Sequence, residues 1–259
     1  FRREFTSATL DAAASLAWPR DGRVRSTLTL GGQGFRDNAY TINGLGTGFA
    51  LPGSKDFDEA ATITAGENRS QVFNGGLYID ENLALLDRFF VNAGLRVDAG
   101  TSFGDQVDWA TYPKLGVAWD LAREPALDLL FGGPAVSELR LRGAYGETGK
   151  FPPPFLRDQT FNATSFRDES APRFDNPGNP DLKPEVTSTL EVGFDAAFLS
   201  DRIGIDFTWY DAKTRDALFF VPEQPVTGLG TQIRNIGEIS NRGIEVDVKT
   251  GLKPDQLKA

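Results

Sequence analysis

The chain has 259 residues, a formal net charge of −9, and no Cys, His or Met. Those zeros exclude a disulfide framework, thiolate- or imidazole-ligated metal, and a Ser-His-acid triad. The acidic balance argues against a general nucleic-acid binder, which presents a basic face to phosphates.

Period-two alternation, the mark of strands with two unlike faces, recurs along the chain. Three weaker strands are predicted first, over residues 4–18, 24–30 and 69–80. Residues 88–98 are clearer: Phe89, Val91, Ala93, Leu95 and Val97 share one face, and Asn92, Arg96 and Asp98 the other. Over 108–121, Trp109, Leu115, Val117 and Trp119 oppose Lys114, Gly116 and Asp120. The segment 138–146 sets Leu139, Leu141 and Tyr145 against Arg140, Arg142 and Ala144. Strands follow over 186–199, 203–210 and 243–249, the last with Ile244, Val246 and Val248 against Glu245, Asp247 and Lys249. Nine strands result, many longer than the usual ~5–6 residues.

The predicted connections alternate in length. A Pro- and Asp-Gly-containing turn over 19–23 is followed by a long Gly-rich excursion over 31–68. A turn at 82–87 is followed by a loop over 99–107. The connection 122–137 has room for a helical turn at 126–131. Residues 147–185 are long and rich in Pro, Asn and Asp, 199–202 short, and 213–240 long again. Loops beyond ~15 residues are uncommon in compact domains. On alternate connections of an antiparallel meander, they all fall at one end. That is the layout of an outer-membrane barrel, with an apolar outside, a polar inside and long extracellular loops. A soluble β-sandwich or propeller also alternates, but with shorter strands and more even loops. Pro113 requires a bulge or a position outside the apolar band. Trp109 and Trp119, ten residues apart on the apolar face, are expected one at each membrane interface. No run approaches ~18 apolar residues, so no spanning helix is expected.

Three segments resemble the β-barrel of TonB-dependent outer-membrane receptors of the SusC/RagA kind. Residues 139–151, LRLRGAYGETGKF, are similar to the family's LR-x-S-Y-G-x-T-G-N run through Tyr145, Gly146 and Gly149, with Lys150 where Asn is usual. Residues 179–194 carry Asn179, Pro180, Leu182, Lys183, Pro184 and Glu185 of an N-P-x-L-K-P-E loop end. Residues 234–246 carry Asn235, Gly237, Asn241, Gly243 and Glu245 of an N-x-G-x-x-x-N-x-G-x-E run. The resemblance implies an all-β fold: part of a large antiparallel transmembrane barrel of roughly 22 strands, with long extracellular loops. The whole chain, 1–259, then reads as an internal barrel piece, without plug domain, TonB box or final strand. Pro180 and Pro184 are expected to stiffen an extended approach to the strand that Glu185 begins. Gly237 and Gly243 are expected to supply positive φ or close approach, and Asn235 and Asn241 turn geometry.

No residue pattern here is that of an enzyme. In 144–151, AYGETGKF, Phe151 replaces the Ser or Thr of a P-loop, and three prolines follow where a helix should start. INGLGTGF, 42–49, lacks a strand-turn-helix context. Asp56, Asp58 and Glu59 lack the rest of a calcium loop. Among 36 acidic residues, none stands out as half of an acid–base pair. Arg96, Asp98, Arg140 and Arg142 are candidates for a polar path along the lumen, or for a charge ladder holding the wall. Phe151, Phe155, Phe161 and Phe166 are candidates for ligand contact in the loop, or for packing within it. The resemblance implies energised import of a bulky nutrient (glycan, peptide or siderophore-like). Its implied partners are a TonB complex acting through a plug, a SusD-like surface lipoprotein, and outer-membrane lipid. No cofactor and no nucleic acid are expected. A passive porin-type barrel and a soluble carbohydrate-binding β-protein are the alternatives.

Overall fold

The computed structural model describes residues 1–18, 23–53, 56–101, 109–127, 135–166 and 169–251, with the side chains of 165 and 166 excepted. The strands are β1 (Arg2–Trp18), β2 (Val24–Phe49), β3 (Ala60–Leu85), β4 (Phe89–Gly100), β5 (Ala110–Asp120), β6 (Val136–Lys150), β7 (Thr160–Phe166), β8 (Glu169–Asn176), β9 (Glu185–Phe198), β10 (Ile203–Arg215), β11 (Leu218–Pro222), β12 (Thr231–Asn235) and β13 (Ile239–Thr250). Nine of them form one sheet in the order β1-β2-β3-β4-β5-β6-β9-β10-β13, and every neighbouring pair is antiparallel. With the β7–β8 and β11–β12 hairpins set aside as loop structure, the sheet is a plain meander.

The nine predicted strands are the nine strands of this sheet. The Gly-rich stretch after Leu30 differs from expectation. It is strand, not loop: β2 and β3 pair from Val24–Leu85 up to Phe49–Ala60, and the sequence INGLGTGF lies within β2. The short-turn end carries tight connections. Leu86 and Asp87 both have φ 56°, the two left-handed residues of a two-residue hairpin turn, and the Arg88 N–H bonds the Leu85 carbonyl at 3.2 Å. The turn expected at 19–23 falls mostly outside the described residues, as does most of the loop at 99–107. Of the helical turn expected at 126–131, a 3₁₀ turn over Pro125–Leu127 is described, and 128–134 lie outside. Pro113 sits in register opposite Leu95 with no bulge, and the ladder from β5 to β6 begins one residue later, at Lys114.

Alternation sorts the side chains cleanly. Leu95, Leu115, Leu141, Val192, Ile244 and Val246 all project from one face and are exposed. Trp109 and Trp119 stand exposed at opposite ends of β5. Among the described residues the buried apolar side chains are few: Tyr112, Leu182, Ala196, Ala217 and Ile233. A water-soluble sandwich would cover its apolar faces with a second layer. Here the apolar face is outermost. Leu182, Ala217 and Ile233 lie in the long loops rather than in the sheet.

Candidate functional site

The face opposite the apolar one is charged and amide-rich. Arg96 pairs with Asp98 at 2.7 Å and reaches Gln33 on β2 at 3.4 Å. Lys114 pairs with Asp80, whose Oδ1 also accepts from Asn82 at 2.7 Å and Asn92 at 3.0 Å. Nearer the short-turn end, the Arg142 Nε donates to Asp195 at 3.0 Å and its Nη2 to Thr208 at 2.6 Å, joining β6, β9 and β10. Arg140 lies 3.8 Å from Asp120 and 3.5 Å from Glu138. Asp120 is buried and also pairs with Arg123 at 3.2 Å, which ties the 3₁₀ turn Leu121–Arg123 to the sheet.

All four predicted lumen residues therefore share the polar face, but they do not converge. Arg96 and Asp98 line a hollow of about 560 Å³ with Tyr78, Asp80, Tyr112 and Lys114. Arg142 lines a separate, larger hollow with Asn92 and Glu191. The first hollow holds a buried polar atom without a partner, the Tyr112 hydroxyl. Sequence reasoning missed Tyr78 and Tyr112. Register places them directly opposite Arg96, one on each side, and register is not legible from a single sequence.

At the long-loop end, two of the motif segments clasp each other. Residues 179–182 form a β-turn: the Leu182 N–H bonds the Asn179 carbonyl at 3.2 Å, and the Asp181 N–H bonds the Asn179 side chain at 3.1 Å. Pro180 thus occupies the second position of a turn, which its fixed φ favours, and not the extended approach expected of it. The Asn179 amide donates to the Ile233 carbonyl at 2.9 Å, and the Gln232 amide donates to the Gly178 carbonyl. Asn235 accepts from the Lys183 N–H at 2.9 Å and donates to the carbonyls of Lys183 and Asp216 at 2.8 and 2.7 Å. Glu185, at the start of β9, accepts the Leu218 N–H at 2.7 Å. Leu182, Ala217 and Ile233, which lie in these segments, are buried.

The motif residues serve the fold, the glycines in the ways expected of them and the asparagines by other routes. Gly237 does take positive φ, at 93°. Gly243 serves the other expected role, close approach: a Cβ there would meet the Tyr210 hydroxyl at 2.8 Å. Gly149 likewise lies beneath the Tyr112 ring, with no space for a Cβ. Asn235 acts as a clasp and Asn241 sits in β13 opposite Ala212, so neither is a turn residue. Tyr145 projects outward and donates to Glu147 at 2.7 Å. Gly146 pairs with Lys114 in the β5–β6 ladder. Lys150 lies 3.8 Å from Glu185, and Glu245 lies opposite Thr208.

The loop aromatics divide between packing and exposure. Phe161 packs on Phe174 across the β7–β8 hairpin, with ring centroids 4.7 Å apart, and both rings remain half-exposed. Phe155 is exposed with φ 65°, and its carbonyl accepts from Asn176 at 3.1 Å. Phe151 is partly buried just past β6. Phe166 pairs through its backbone with Glu169, and its side chain lies outside the described residues.

An antiparallel meander that is apolar outside, charged inside and capped by structured loops at one end is wall from a transmembrane β-barrel. Residues 2–255 match the family described as TonB dependent receptor-like, beta-barrel, and the chain belongs to that family. It is 29% identical over 180 residues to the TonB-dependent receptor SusC of Bacteroides thetaiotaomicron, covering 64% of this chain and 17% of that protein. It is 27% identical over 182 residues to TonB-dependent receptor P3 of Formosa agariphila, covering 65% and 17%. The fold matches the RagAB peptide transporter with a TM-score of 0.85 and 19% identity, over 98% of this chain and 28% of that one. It matches the siderophore receptor PirA from Pseudomonas aeruginosa with a TM-score of 0.61 and 14% identity, over 97% and 41%. The chain spans under a fifth of the length of the curated relatives it matches. The barrel lies in the bacterial outer membrane. Its short turns face the periplasm and its long loops the exterior.

Proposed function

We propose that this chain supplies wall and extracellular mouth to a receptor for energised, TonB-dependent uptake of a bulky nutrient. The observation that carries this reading is the knot formed by the motif segments at the long-loop end. It holds the β7–β8 and β11–β12 hairpins beside the opening, with Phe155, Phe161 and Phe220 exposed. Rigid loops over a polar passage suit capture followed by translocation, whereas a passive pore needs no such platform. In this reading, a plug domain belonging to the same receptor couples the barrel to TonB. A SusD-like surface lipoprotein covers the exposed aromatic loops. Arg96 and Asp98, in the upper hollow, face the plug or the passing ligand, and Arg140 and Arg142 hold the wall. The names of the matched proteins point to peptides and to siderophores, and glycans complete the class of bulky nutrients proposed.

The test is growth of the native host on single nutrient sources after deletion of the receptor gene. A nutrient-specific defect is expected, restored by the full-length receptor but not by one with its TonB-contacting segment removed. Restoration by both would establish a passive pore instead.

A further inference from the structure

We propose that the polar face of β2–β6 carries a trough along which the ligand crosses the barrel, and that the trough is built for a ligand of no net charge. The proposal rests on the uptake reading above and adds to it the sector of wall and the class of ligand. The two hollows of this face lie end to end on the same strands. β2 gives Thr27 to the lower and Thr29 to the upper, β3 gives Asn82 and Asp80, and β5 gives Gly116 and Lys114. Where they meet, Asp80 and Lys114 pair across β4, and Gly94 stands between them in register. A Cβ at 94 would lie 2.6 Å from the Lys114 Cε and 2.9 Å from the Asp80 carboxylate. The pair therefore lies down on the glycine and does not stand into the lumen. Gly76 makes the same room beneath the Arg96–Asp98 pair, and Gly31 beneath the Tyr78 ring. Below the junction the lining is small, with Ala84, Gly116, Ala118 and Ala144.

A wall that fastens a fixed partner presents unpaired groups to it. Here Asp80, Arg96, Asp98 and Lys114, the charged side chains of β3–β5 that line the trough, are spent on each other, two of each sign. A charged ligand entering it would shed hydration and find no free counter-charge. Hydroxyls and amides lose little, because Asn82, Asn92 and Tyr112 offer hydrogen bonds along the way. The Tyr112 hydroxyl has no partner among the described residues. The wall of β9, β10 and β13 is unlike this. Asp195, Asp206 and Asp247 stand side by side there in one register row, and like charges in a row favour a cation that stays.

The experiment labels cysteines in the full-length receptor, in cells of the native host growing on the nutrient that the deletion test assigns. The chain has no cysteine of its own, and each reporter is read against the receptor without it. Gly116→Cys reports the trough, since a Cβ there meets nothing nearer than the Asn92 Cβ at 3.9 Å. Ala144→Cys, its register neighbour, is the second trough reporter. Ala212→Cys, on the polar face of β10 in the register row of Lys114, is the control. The probes are neutral, anionic and cationic methanethiosulfonates of similar size. With the neutral reagent, energised cells should label both trough cysteines about tenfold faster than cells treated with a protonophore, and Ala212→Cys no faster. Adding Asp80→Asn leaves Lys114 unpaired ~7 Å from residue 116. That should speed the anionic reagent at Gly116→Cys and slow the cationic one, by about threefold each, and Lys114→Gln on top should cancel both shifts. Heat-modifiable gel mobility should report every variant as folded. A rise at Ala212→Cys equal to that in the trough, or confined to Ala212→Cys, would overturn the proposal and leave the uptake reading in place. So would an unchanged reagent preference in the Asp80→Asn variant. Equal labelling of all three cysteines with and without protonophore would overturn the uptake reading, and the proposal with it.

Discussion

The side-chain amide of Asn235 pairs with both backbone groups of Lys183, accepting from its N–H at 2.9 Å and donating to its carbonyl at 2.8 Å. One side chain thereby does the work of a short stretch of β-ladder between segments that are 52 residues apart. Its third bond, to the Asp216 carbonyl at 2.7 Å, brings in the top of β10. Replacing Asn235 with Ala is expected to free both backbone groups of Lys183 and to cost about 1–3 kcal/mol of local stability. The loss should appear as faster amide hydrogen exchange over residues 178–185 and 216–236, with the sheet amides of β4 and β5 unchanged. Asn235→Asp keeps the acceptor and loses the donor, and should fall between the two.

That relationship also marks the limit of what the sequence discloses. The strands of the membrane band were readable because lipid outside and water inside imprint period two on residues such as Leu95, Arg96, Val97 and Asp98. Above the band, water wets both faces. Residues 31–49 therefore carry no apolar alternation, although β2 runs through them, and Gly and Thr there look like loop. The short β7–β8 and β11–β12 hairpins were illegible for the same reason. The N-P-D-L-K-P-E and N-I-G-E-I-S-N-R-G segments could be recognised individually. Their contact could not, because an amide gripping a distant backbone leaves no periodic trace. Arg96 and Asp98 could be assigned to the inner face from parity alone. Their hollow with Tyr78 and Tyr112 depends on register, which parity does not fix.

Gly149 and Tyr112 make a second testable pair. The ring occupies the space that any side chain at 149 would need, and Tyr112 is one of the few buried residues of the sheet. Gly149→Ala should therefore destabilise the receptor by about 1–3 kcal/mol through overpacking. Truncating the ring with Tyr112→Ser should relieve part of that cost. In a double-mutant cycle by thermal unfolding in detergent, the two changes together should cost less than their sum. Simple additivity would mean that the ring moves aside freely.

The two faces should respond oppositely to charge. Leu115 lies mid-strand on the exposed apolar face, while Ala144 lies on the polar face beside Arg142. Leu115→Arg places a guanidinium in lipid and is expected to cost about 2–4 kcal/mol. Ala144→Arg faces a water-filled interior and should cost far less. Denaturant titration of folding into vesicles of the full-length receptor reads both. A larger cost at 144 would reverse the assignment of faces.

Arg142 separates wall from passage. Its two bonds use different nitrogens, Nε to Asp195 and Nη2 to Thr208, so it spans three adjacent strands as a strut. Removing it strands a partly buried carboxylate, and an unpaired charge costs more than the pair is worth. Arg142→Met should therefore lower the thermal midpoint of the full-length receptor, and adding Asp195→Asn should recover part of the loss. Arg142→Lys should not restore the wild-type value, because one ammonium cannot reproduce the forked geometry. Uptake per folded receptor at the cell surface should stay at the wild-type level in all three variants. A variant that keeps its midpoint but loses uptake would instead place Arg142 on the ligand's route.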